Sequence, residues 1–264
     1  GGYLVTGAWA KKAAKEASFM GSSITIASSE DKNFNYIPKN YSLENNIDYF
    51  HVTSNNTIFG TQIKNFYNGE IPLACDMSSD IFSRKINIED FDLIYAGAQK
   101  NMGPAGTTLY ICKKEILGKS SVPIPTMLDL KTHSDKDSMF NTPPVFPIYA
   151  SMLNLRWLKR IGGLSYIEEQ NEKKSELIYN QIDNSSLFLG TANKEDRSSM
   201  NVTFTLTNDA LNETFNKMLV EANINGLKGH RSVGGFRASM YNAMPFESVS
   251  IVVDIMKELE NKKG

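Results

Sequence analysis

Four short apolar runs in the first half of the chain restrict its fold more than any other feature. They are DYFHVTS from Asp48, PLACDMS from Pro72, FDLIYAGA from Phe91 and TTLYICK from Thr107. Each has the length of a strand and is bounded by turn residues, and all but PLACDMS are rich in β-branched or aromatic residues. Continuous rather than alternating apolar runs are typical of strands that are covered on both faces, as in a mostly parallel sheet. The first half therefore predicts an α/β fold.

The pattern changes after about Pro147. Two helical segments, IYASMLNLRWLKRIGG and LSYIEEQNEKKSELIYNQI, precede a strand pattern MNVTFTLTN, a helix ALNETFNKMLVEANI, a strand GGFRASMYN and a last apolar helix. This alternation is typical of a smaller α+β unit. The sequence therefore predicts a large domain over residues 1–160 and a small C-terminal domain over residues 161–264.

Composition excludes several classes of function. The net charge of -1 gives no general attraction to nucleic acid or to an anionic membrane. No apolar run approaches the ~20 residues that span a bilayer, and no signal peptide is visible, so we expect a cytoplasmic protein. Cys75 and Cys112 lie in two of the predicted strands, and we interpret them as buried structural thiols rather than as a metal site or a disulfide framework.

A lysine and an aspartate follow two of the predicted strands. Lys100 lies in YAGAQKNMGPAG, a loop of small residues, and Asp76 ends the run PLAC. Taken separately, the first is compatible with a glycine-bearing turn and the second with a capping aspartate. Taken together, they would meet at the carboxyl edge of a parallel sheet, where α/β proteins bind ligands. A lysine that bonds a cofactor covalently, with an acidic partner for a pyridinium nitrogen, is the pattern that pyridoxal phosphate requires.

Longer motifs carry a resemblance to a known family. CDMSSDIFSRKI and the following YAGAQKNMGPAG resemble motifs of the phosphoserine aminotransferases, which are fold-type-I enzymes dependent on pyridoxal phosphate. NNTIFGTQ, MFNTPP and GLKGHRSVGGFRASMYNAMP resemble further motifs of that family, in the same order. The resemblance covers essentially the whole chain. It implies the fold-type-I architecture, with a mostly parallel central sheet and a smaller C-terminal α+β domain. Cysteine desulfurases share this fold but need a nucleophilic cysteine on a late loop, and neither cysteine here has that position.

The resemblance implies a role for four residues around the cofactor. Lys100 is expected to bond pyridoxal phosphate and then to move the Cα proton, which requires a neutral amine. Asp76 is expected to bind the pyridine nitrogen, Gln99 the cofactor phosphate, and Thr57 the ring hydroxyl. No metal ligand is expected.

The resemblance also implies residues for the substrate and for a second subunit. Asn141 and Thr142 are similar to the pair that binds the phosphate of the neighbouring subunit's cofactor, which implies a homodimer with shared active sites. Arg237 is expected to bind the substrate α-carboxylate. His230 and Arg231 are expected to bind the substrate phosphate, or the side-chain carboxylate of glutamate. For Asn141 and Thr142, the alternative is a proline-stiffened turn at NTPP. For Arg237, His230 and Arg231, the alternative is an ordinary solvated side chain.

Two histidines and one tryptophan receive no role from sequence. His51 and His133 lie in no motif, and Trp9 falls within the first predicted helix. Members of the family carry a further N-terminal region with a glycine-rich phosphate loop, an aromatic residue that stacks on the cofactor, and an arginine. We find no counterpart of these three features. The start of the chain at Gly1 and Gly2 is typical of a piece of a longer protein, and it is equally compatible with an expression scar or a trimmed terminus. A weakly bound cofactor and slow transamination are therefore expected for this chain.

Two functional hypotheses remain open at this stage. The first is transamination between 3-phosphohydroxypyruvate and L-glutamate in serine biosynthesis, or the family's related role on a phosphorylated hydroxythreonine in the synthesis of pyridoxal phosphate. The second is a catalytically silent fragment that acts only as a binding or dimerisation module.

Overall fold

The computed structural model of the chain describes residues 1–43 and 46–263. Its strands are β1 Gly2–Val5, β2 Ile24–Ser28, β3 Phe50–Thr53, β4 Asn55–Asn56, β5 Thr61–Gln62, β6 Leu73–Asp76, β7 Leu93–Gly97, β8 Thr108–Cys112, β9 Phe188–Gly190, β10 Asn201–Leu206 and β11 Phe236–Ser239. Its α-helices are α1 Ala8–Ala17, α2 Leu130–Ser134, α3 Val145–Arg160, α4 Gly163–Asn184, α5 Asn212–Glu221 and α6 Phe246–Lys263.

A six-stranded sheet in the described residues forms the centre of the first half, in the order β2-β1-β3-β6-β7-β8. The neighbouring strands from β2 to β7 are parallel, and β8 pairs antiparallel with β7 at one edge. The predicted mostly parallel α/β sheet is therefore confirmed. The four apolar runs that predicted it became β3, β6, β7 and β8.

Alternate residues of these strands divide between two faces of the sheet. One face carries the largest apolar cluster of the first half, which includes Leu4, Phe50, Leu73 and Ile94 and also contacts Leu155 of α3. On the other face, α1 packs its alanines against Tyr3 and Val5 of β1 and their neighbours. Cys75 is buried, as predicted, whereas Cys112 is half-buried; both thiols are free.

The first helix is shorter than its apolar pattern suggested. α1 ends at Ala17, whereas the apolar spacing of Trp9, Ala13, Ala17 and Met20 followed by Gly21 predicts a helix that stops at Gly21. The Ser18 hydroxyl donates to the Lys15 carbonyl at 2.6 Å, and the Gly21 amide donates to the Ala17 carbonyl at 3.0 Å. These bonds occupy the last carbonyl groups, so the chain leaves the helix one turn early.

The second half has a sheet of its own, in the order β11-β10-β9. Helices α4, α5 and α6 contribute to an apolar cluster built around Phe188, Phe204, Phe215, Phe236 and Met256. Helices α3 and α4 are separated at Gly162 and Gly163, which both have positive φ (124° and 70°). The helices predicted on either side of this double glycine are present. The division into domains at residue 160 stays a prediction.

A small hairpin holds the two sheets together. The strands β4 and β5 pair with each other, and Thr203 of β10 donates a hydrogen bond to the Phe59 carbonyl at 3.0 Å. Gly60, with φ 75°, permits this approach, because a Cβ at this position would lie 2.3 Å from the Thr203 hydroxyl. Asn55 of the same hairpin hydrogen-bonds to Asn201 at 2.7 Å. This junction carries residues of the second half to the edge of the central sheet.

Within the described ranges, no helix is both long enough and apolar enough to cross a membrane.

Candidate active site

Asp76 and Lys100 lie at the same edge of the central sheet. Asp76 is the last residue of β6, and Lys100 follows β7 after one turn. The two strands are parallel neighbours, and Asp76 pairs in register with Tyr95. The carboxyl ends of parallel strands meet at one edge of a sheet, so the two side chains face a common space.

Lys100 is half-buried, and its amine is held by Thr57. Nζ donates a hydrogen bond to the Thr57 hydroxyl at 2.8 Å. Burial lowers the pKa of Lys100; the carboxylate of Asp76 opposes this shift, and the guanidinium of Arg237 adds to it. The neutral amine is the form that can accept a proton, and its fraction at neutral pH is therefore raised.

The loop that carries Lys100 is fixed by two asparagines. Asn101 is buried, donates to the Ile81 carbonyl at 2.6 Å, and accepts from the backbone amide of Asn242 at 2.8 Å. Asn154 of α3 donates to the Met102 carbonyl at 2.8 Å. These bonds join the loop to the turn after β6 and to the segment after β11.

The small residues of the same loop allow α3 to approach it. A Cβ on Gly103 would lie 2.3 Å from the Ser151 hydroxyl, and Gly106 adopts a φ of 118° beside Pro147. The close contact at position 103 leaves no room for a Cβ, and the positive φ at position 106 favours glycine. Gly103 and Gly106 of YAGAQKNMGPAG therefore serve the packing of the loop against α3.

Asp76 is oriented by the turn that follows it. Its Oδ1 accepts hydrogen bonds from the Ser78 amide at 2.9 Å and from the Ser78 hydroxyl at 2.6 Å. No described residue donates to Oδ2. One carboxylate oxygen is thus held by the protein, while the other can accept from a ligand N–H group.

Trp9 lies in this site, so the expectation that the chain offers no aromatic ring here is wrong. The Trp9 ring centroid is 5.9 Å from Nζ of Lys100 and 4.6 Å from Nζ of Lys12, and the side chain is 48% exposed. Helix α1 begins at Ala8, directly after β1, and β1 is parallel to β6 and β7 in the same sheet. A helix that starts at the carboxyl end of a parallel strand brings its first turn to the site. Because the sequence patterns did not reveal β1, this signal was missed.

Arg237 reaches the site from the second sheet. It lies in β11 opposite Thr203, is half-buried, and its Nε is buried with no hydrogen-bond partner among the described residues. Its guanidinium adds to the lowering of the pKa of Lys100. An unpaired buried guanidinium N–H is suited to an anionic ligand group.

His230 and Arg231 lie in the glycine-rich loop before β11. His230 hydrogen-bonds through Nδ1 to the Ser232 hydroxyl at 2.7 Å, and Arg231 is exposed. Val233 of this loop packs against the cluster that contains Ile58, the neighbour of Thr57. The loop is therefore close to the site, although among the described residues no direct contact joins the side chain of His230 or Arg231 to Lys100.

Gln99 and the NTPP segment occupy more open positions. Gln99 is exposed and folds over Gly97, where a Cβ would lie 2.6 Å from Gln99 Oε1. Asn141 and Thr142 are exposed just before α3, and Asn141 donates to the Thr142 carbonyl at 3.3 Å. Neither of these two side chains hydrogen-bonds to the Lys100 loop within the residues described.

Two further residues near the site had no role in the sequence interpretation. Burial raises the pKa of Tyr241, while hydrogen bonds from Asn201 and Thr57 oppose the shift. His51 is buried, and its Nε2 lies 2.9 Å from the Tyr95 hydroxyl. Burial lowers the pKa of His51 to about 4, although Asp76 opposes this shift. His51 is therefore neutral at pH 7. Neither residue could be located without knowing which strands are neighbours.

Comparison with known proteins gives a consistent family. The profile of the class-V aminotransferases matches residues 3–252. A phosphoserine aminotransferase of Flavobacterium psychrophilum is 62% identical over 260 residues, which cover 98% of this chain and 73% of that protein. The solved phosphoserine aminotransferase of Bacillus circulans subsp. alkalophilus superposes with a TM-score of 0.96 at 44% identity, over 100% of this chain and 74% of that one. A pyridoxal-phosphate-bound structure of the Trichomonas vaginalis enzyme superposes with a TM-score of 0.90 at 34% identity, over 97% and 74% of the two chains. The chain therefore belongs to the class-V aminotransferases and, among them, to the phosphoserine aminotransferases.

Proposed function

We propose that this chain transfers the amino group of L-glutamate to 3-phosphohydroxypyruvate with pyridoxal phosphate as cofactor, giving O-phospho-L-serine and 2-oxoglutarate in serine biosynthesis. The observation that carries the proposal is the grouping of Lys100, Asp76 and Arg237 around one space. Family membership supports the same reaction, because relatives at 62% and 57% identity are phosphoserine aminotransferases.

The residues present fit the proposed cofactor. Asp76 offers an unpaired Oδ2 to a protonated ring nitrogen, and Trp9 offers a flat aromatic surface near Lys100. The exposed amide of Gln99 is available to a phosphate oxygen, and Thr57 to a ring hydroxyl. When bound, pyridoxal phosphate supplies an electron-accepting ring that stabilises the negative charge left at Cα after a proton is removed.

Lys100 performs the proton transfer in this proposal. Its lowered pKa makes the neutral amine available, so Nζ can take the Cα proton and return it at another carbon. The hydroxyl of Thr57 accepts a hydrogen bond from Nζ and so orients the amine before the proton transfer. The negative charge of Asp76 keeps a ring nitrogen protonated, which is the state in which the ring accepts electrons best.

Arg237 and the loop before β11 bind the substrates. The guanidinium of Arg237 presents a planar fork that matches an α-carboxylate, a group that glutamate and phosphoserine share. His230 and Arg231 bind the group that differs between the substrates, the phosphate of one and the side-chain carboxylate of the other. Their position on a loop suits a site that accepts two different anions in turn.

A homodimer with shared sites is part of the same proposal. Asn141 and Thr142 face solvent rather than the Lys100 loop, as expected of residues that act on a neighbouring subunit. Exposed apolar side chains surround them: Met139, Phe140, Val145, Phe146, Ile148, Tyr149 and Leu153. A patch of this kind is typical of an interface between subunits.

An assay with matched substrates tests the proposal. The protein, supplied with pyridoxal phosphate and glutamate, is incubated with 3-phosphohydroxypyruvate, with hydroxypyruvate, or with the phosphorylated 2-oxo acid of the hydroxythreonine series. We expect O-phosphoserine as product and a kcat/KM for 3-phosphohydroxypyruvate at least tenfold above that for hydroxypyruvate, because a charged hydrogen bond contributes about 1.5–3 kcal/mol. Absence of any transamination, or equal turnover of the phosphorylated and unphosphorylated acids, would contradict the proposal.

A further inference from the structure

A row of aromatic side chains crosses the face of the central sheet that carries Asp76. Its members are Tyr49, Tyr3, His51, Tyr95 and Tyr110, with successive ring centroids 5.9, 5.1, 5.9 and 6.4 Å apart. His51 lies in β3 and Tyr95 in β7, and β6 runs between them. The two side chains nevertheless meet, with His51 Nε2 2.9 Å from the Tyr95 hydroxyl.

The meeting across β6 depends on Ala74. Ala74 pairs in register with His51, and its small side chain leaves room for the hydrogen bond above it. Asp76 is the next residue on the same face of β6, because side chains alternate along a strand. Two residues of strand correspond to about 7 Å, so the His51–Tyr95 bridge lies one side-chain position behind the carboxylate of Asp76.

Buried polar atoms beside Asp76 remain unpaired. His51 is 5% exposed, and its Nδ1 has no hydrogen-bond partner among the described residues. Thr53, which pairs in register with Asp76, is also buried, and its hydroxyl oxygen is likewise unpaired. Unpaired buried polar atoms are uncommon, and two on one strand next to an acidic residue call for an explanation.

We infer that His51, bridged to Tyr95 across Ala74, is a positioning residue that places a neutral polar layer behind Asp76 and so reserves the negative charge of this carboxylate for the ligand. This inference rests on the proposed function, because it takes Asp76 as the residue that meets the ring nitrogen of the cofactor.

The electrostatic reason is competition for one carboxylate. A positive His51 would attract Asp76 and weaken its attraction for a protonated ring, whereas a neutral imidazole leaves the charge free. Among the described residues, His51 contacts Tyr3 of β1 and Tyr95 of β7, and Asp76 of β6 acts on its pKa. Four further titratable residues line the cavity beside His51: Asp48, Tyr49, Asp92 and Lys119. Burial raises the pKa of Tyr3 and of Tyr95, so neither contributes a charge at neutral pH. Burial likewise outweighs the opposing effect of Asp76 and keeps His51 neutral.

The first test uses the protein without cofactor. Nitrogen-15 NMR of the three histidines reports the charge and tautomer of each ring, and His51→Gln identifies the signal of His51. We expect His51 to stay neutral between pH 5 and pH 9, and its ring shifts to change when Asp76 is replaced by Asn or Tyr95 by Phe. A His51 that becomes charged within this range, or that is indifferent to both substitutions, would overturn the inference.

The second test measures cofactor affinity and the split of kinetic constants. In His51→Phe, we expect pyridoxal phosphate to bind about tenfold more weakly and kcat to fall with little change in the KM for glutamate, since removal of a support to a charged group costs on this order. The pH dependence of the visible absorbance of the loaded protein should also shift. His51→Gln, whose neutral amide can still reach Tyr95, should restore most of the affinity.

Tyr3→Phe is the matched control. It keeps the ring that packs on His51 and removes only the hydroxyl, which bonds to Tyr49 at 2.5 Å. Wild-type affinity in His51→Phe, or an equal loss in His51→Phe and Tyr3→Phe, would show that the row is only structural. Asp76→Asn separates the two proposals: unchanged cofactor affinity in this variant would overturn the role of Asp76 and this inference with it, whereas weaker binding in Asp76→Asn together with wild-type affinity in His51→Phe would overturn this inference alone.

Discussion

Lys100 owes its chemistry to residues that lie far from it in the sequence. Thr57 holds the amine, and Asp76 and Arg237 act on its pKa in opposite directions. The pairing of Lys100 with Asp76 could be predicted, because both follow strand patterns and parallel strands end at one edge. Trp9 and His51 could not be placed in the same way. Their positions depend on β1 and on the order of the strands, which no local pattern reveals.

The two tryptophans of the chain allow a direct test of Trp9. Replacing Trp9 by Leu removes the aromatic surface near Lys100, and stacking geometry contributes about 0.5–1.5 kcal/mol, so pyridoxal phosphate should bind about two- to tenfold more weakly. In Trp9→Phe the affinity should be largely kept, while most of the quenching of tryptophan fluorescence by the cofactor should be lost. Trp157→Phe, on α3, is the control and should leave the quenching intact. Quenching that disappears only in the Trp157 variant would show that Trp9 does not lie beside the cofactor.

The two arginines near the site should differ in their effects on substrates. Arg237→Leu is expected to weaken glutamate and 3-phosphohydroxypyruvate alike, because both carry an α-carboxylate. Arg231→Leu is expected to weaken the phosphorylated substrate at least as much as glutamate. Loss of a charged hydrogen bond of about 1.5–3 kcal/mol corresponds to a tenfold to hundredfold rise in the apparent dissociation constant. Steady-state KM values for both substrates measure the change in apparent affinity. Negligible effects of both substitutions would show that the two arginines are ordinary solvated surface residues.

Among the strands, those with long continuous apolar runs could be recognised from the sequence, and the shortest ones could not. The runs that became β3, β6, β7 and β8 carry enough apolar side chains to be recognised. β9 has three residues and β4 and β5 have two each, so they leave no periodic pattern. Their formation depends on a partner strand, β10 for β9 and each other for β4 and β5, rather than on a pattern of their own.

Helix α4 stabilises the segment after β11 through one buried lysine. Lys174 donates hydrogen bonds to the carbonyl groups of Met240, Tyr241 and Met244 at 3.2–3.3 Å. Burial lowers the pKa of Lys174 to about 8. Its side chain therefore ties α4 to the segment that also bonds Asn101 and thereby the Lys100 loop.

The lowered pKa of Lys174 gives stability a defined pH dependence. The folded protein releases this proton from about pH 8 upward, whereas the unfolded chain keeps it to the ordinary value of 10.5. The unfolded state then binds more protons, so this residue makes the folded state more stable as pH rises through that window. Lys174→Met should lower the free energy of unfolding by about 1–3 kcal/mol through the unpaired carbonyls. The deficit should be larger at pH 10 than at pH 7.

Urea unfolding at the two pH values measures this effect, with Lys173→Met as a control. Lys173 neighbours Lys174 on α4 but pairs with Glu169 at the surface. A deficit for Lys174→Met that is the same at both pH values, or smaller at pH 10, would contradict the assignment.

At the scale of the whole molecule, the exposed patch at the start of α3 predicts self-association. Phe146 is 72% exposed, and an apolar ring at such an exposure in the middle of a patch is suited to a partner surface. Phe146→Glu should shift the protein from dimer to monomer in sedimentation equilibrium, because a buried unpaired carboxylate is costly. Phe19→Glu is the control, since Phe19 is 71% exposed at the end of α1, apart from the patch. Equal association of both variants would contradict the location of the interface.

Every role proposed for the site depends on covalent attachment of pyridoxal phosphate to Lys100, and reductive trapping detects this bond. The protein is loaded with cofactor, reduced with borohydride and digested, and the modified peptide is identified by mass spectrometry. Lys12→Ala serves as control, because Lys12 is exposed and lies 4.6 Å from the same Trp9 ring. We predict a single adduct on Lys100, kept in Lys12→Ala and absent from Lys100→Ala, whose fold by circular dichroism stays that of the wild type. A reducible adduct that persists in a folded Lys100→Ala protein, or that maps to another lysine, would show that Lys100 is not the residue that bonds the cofactor.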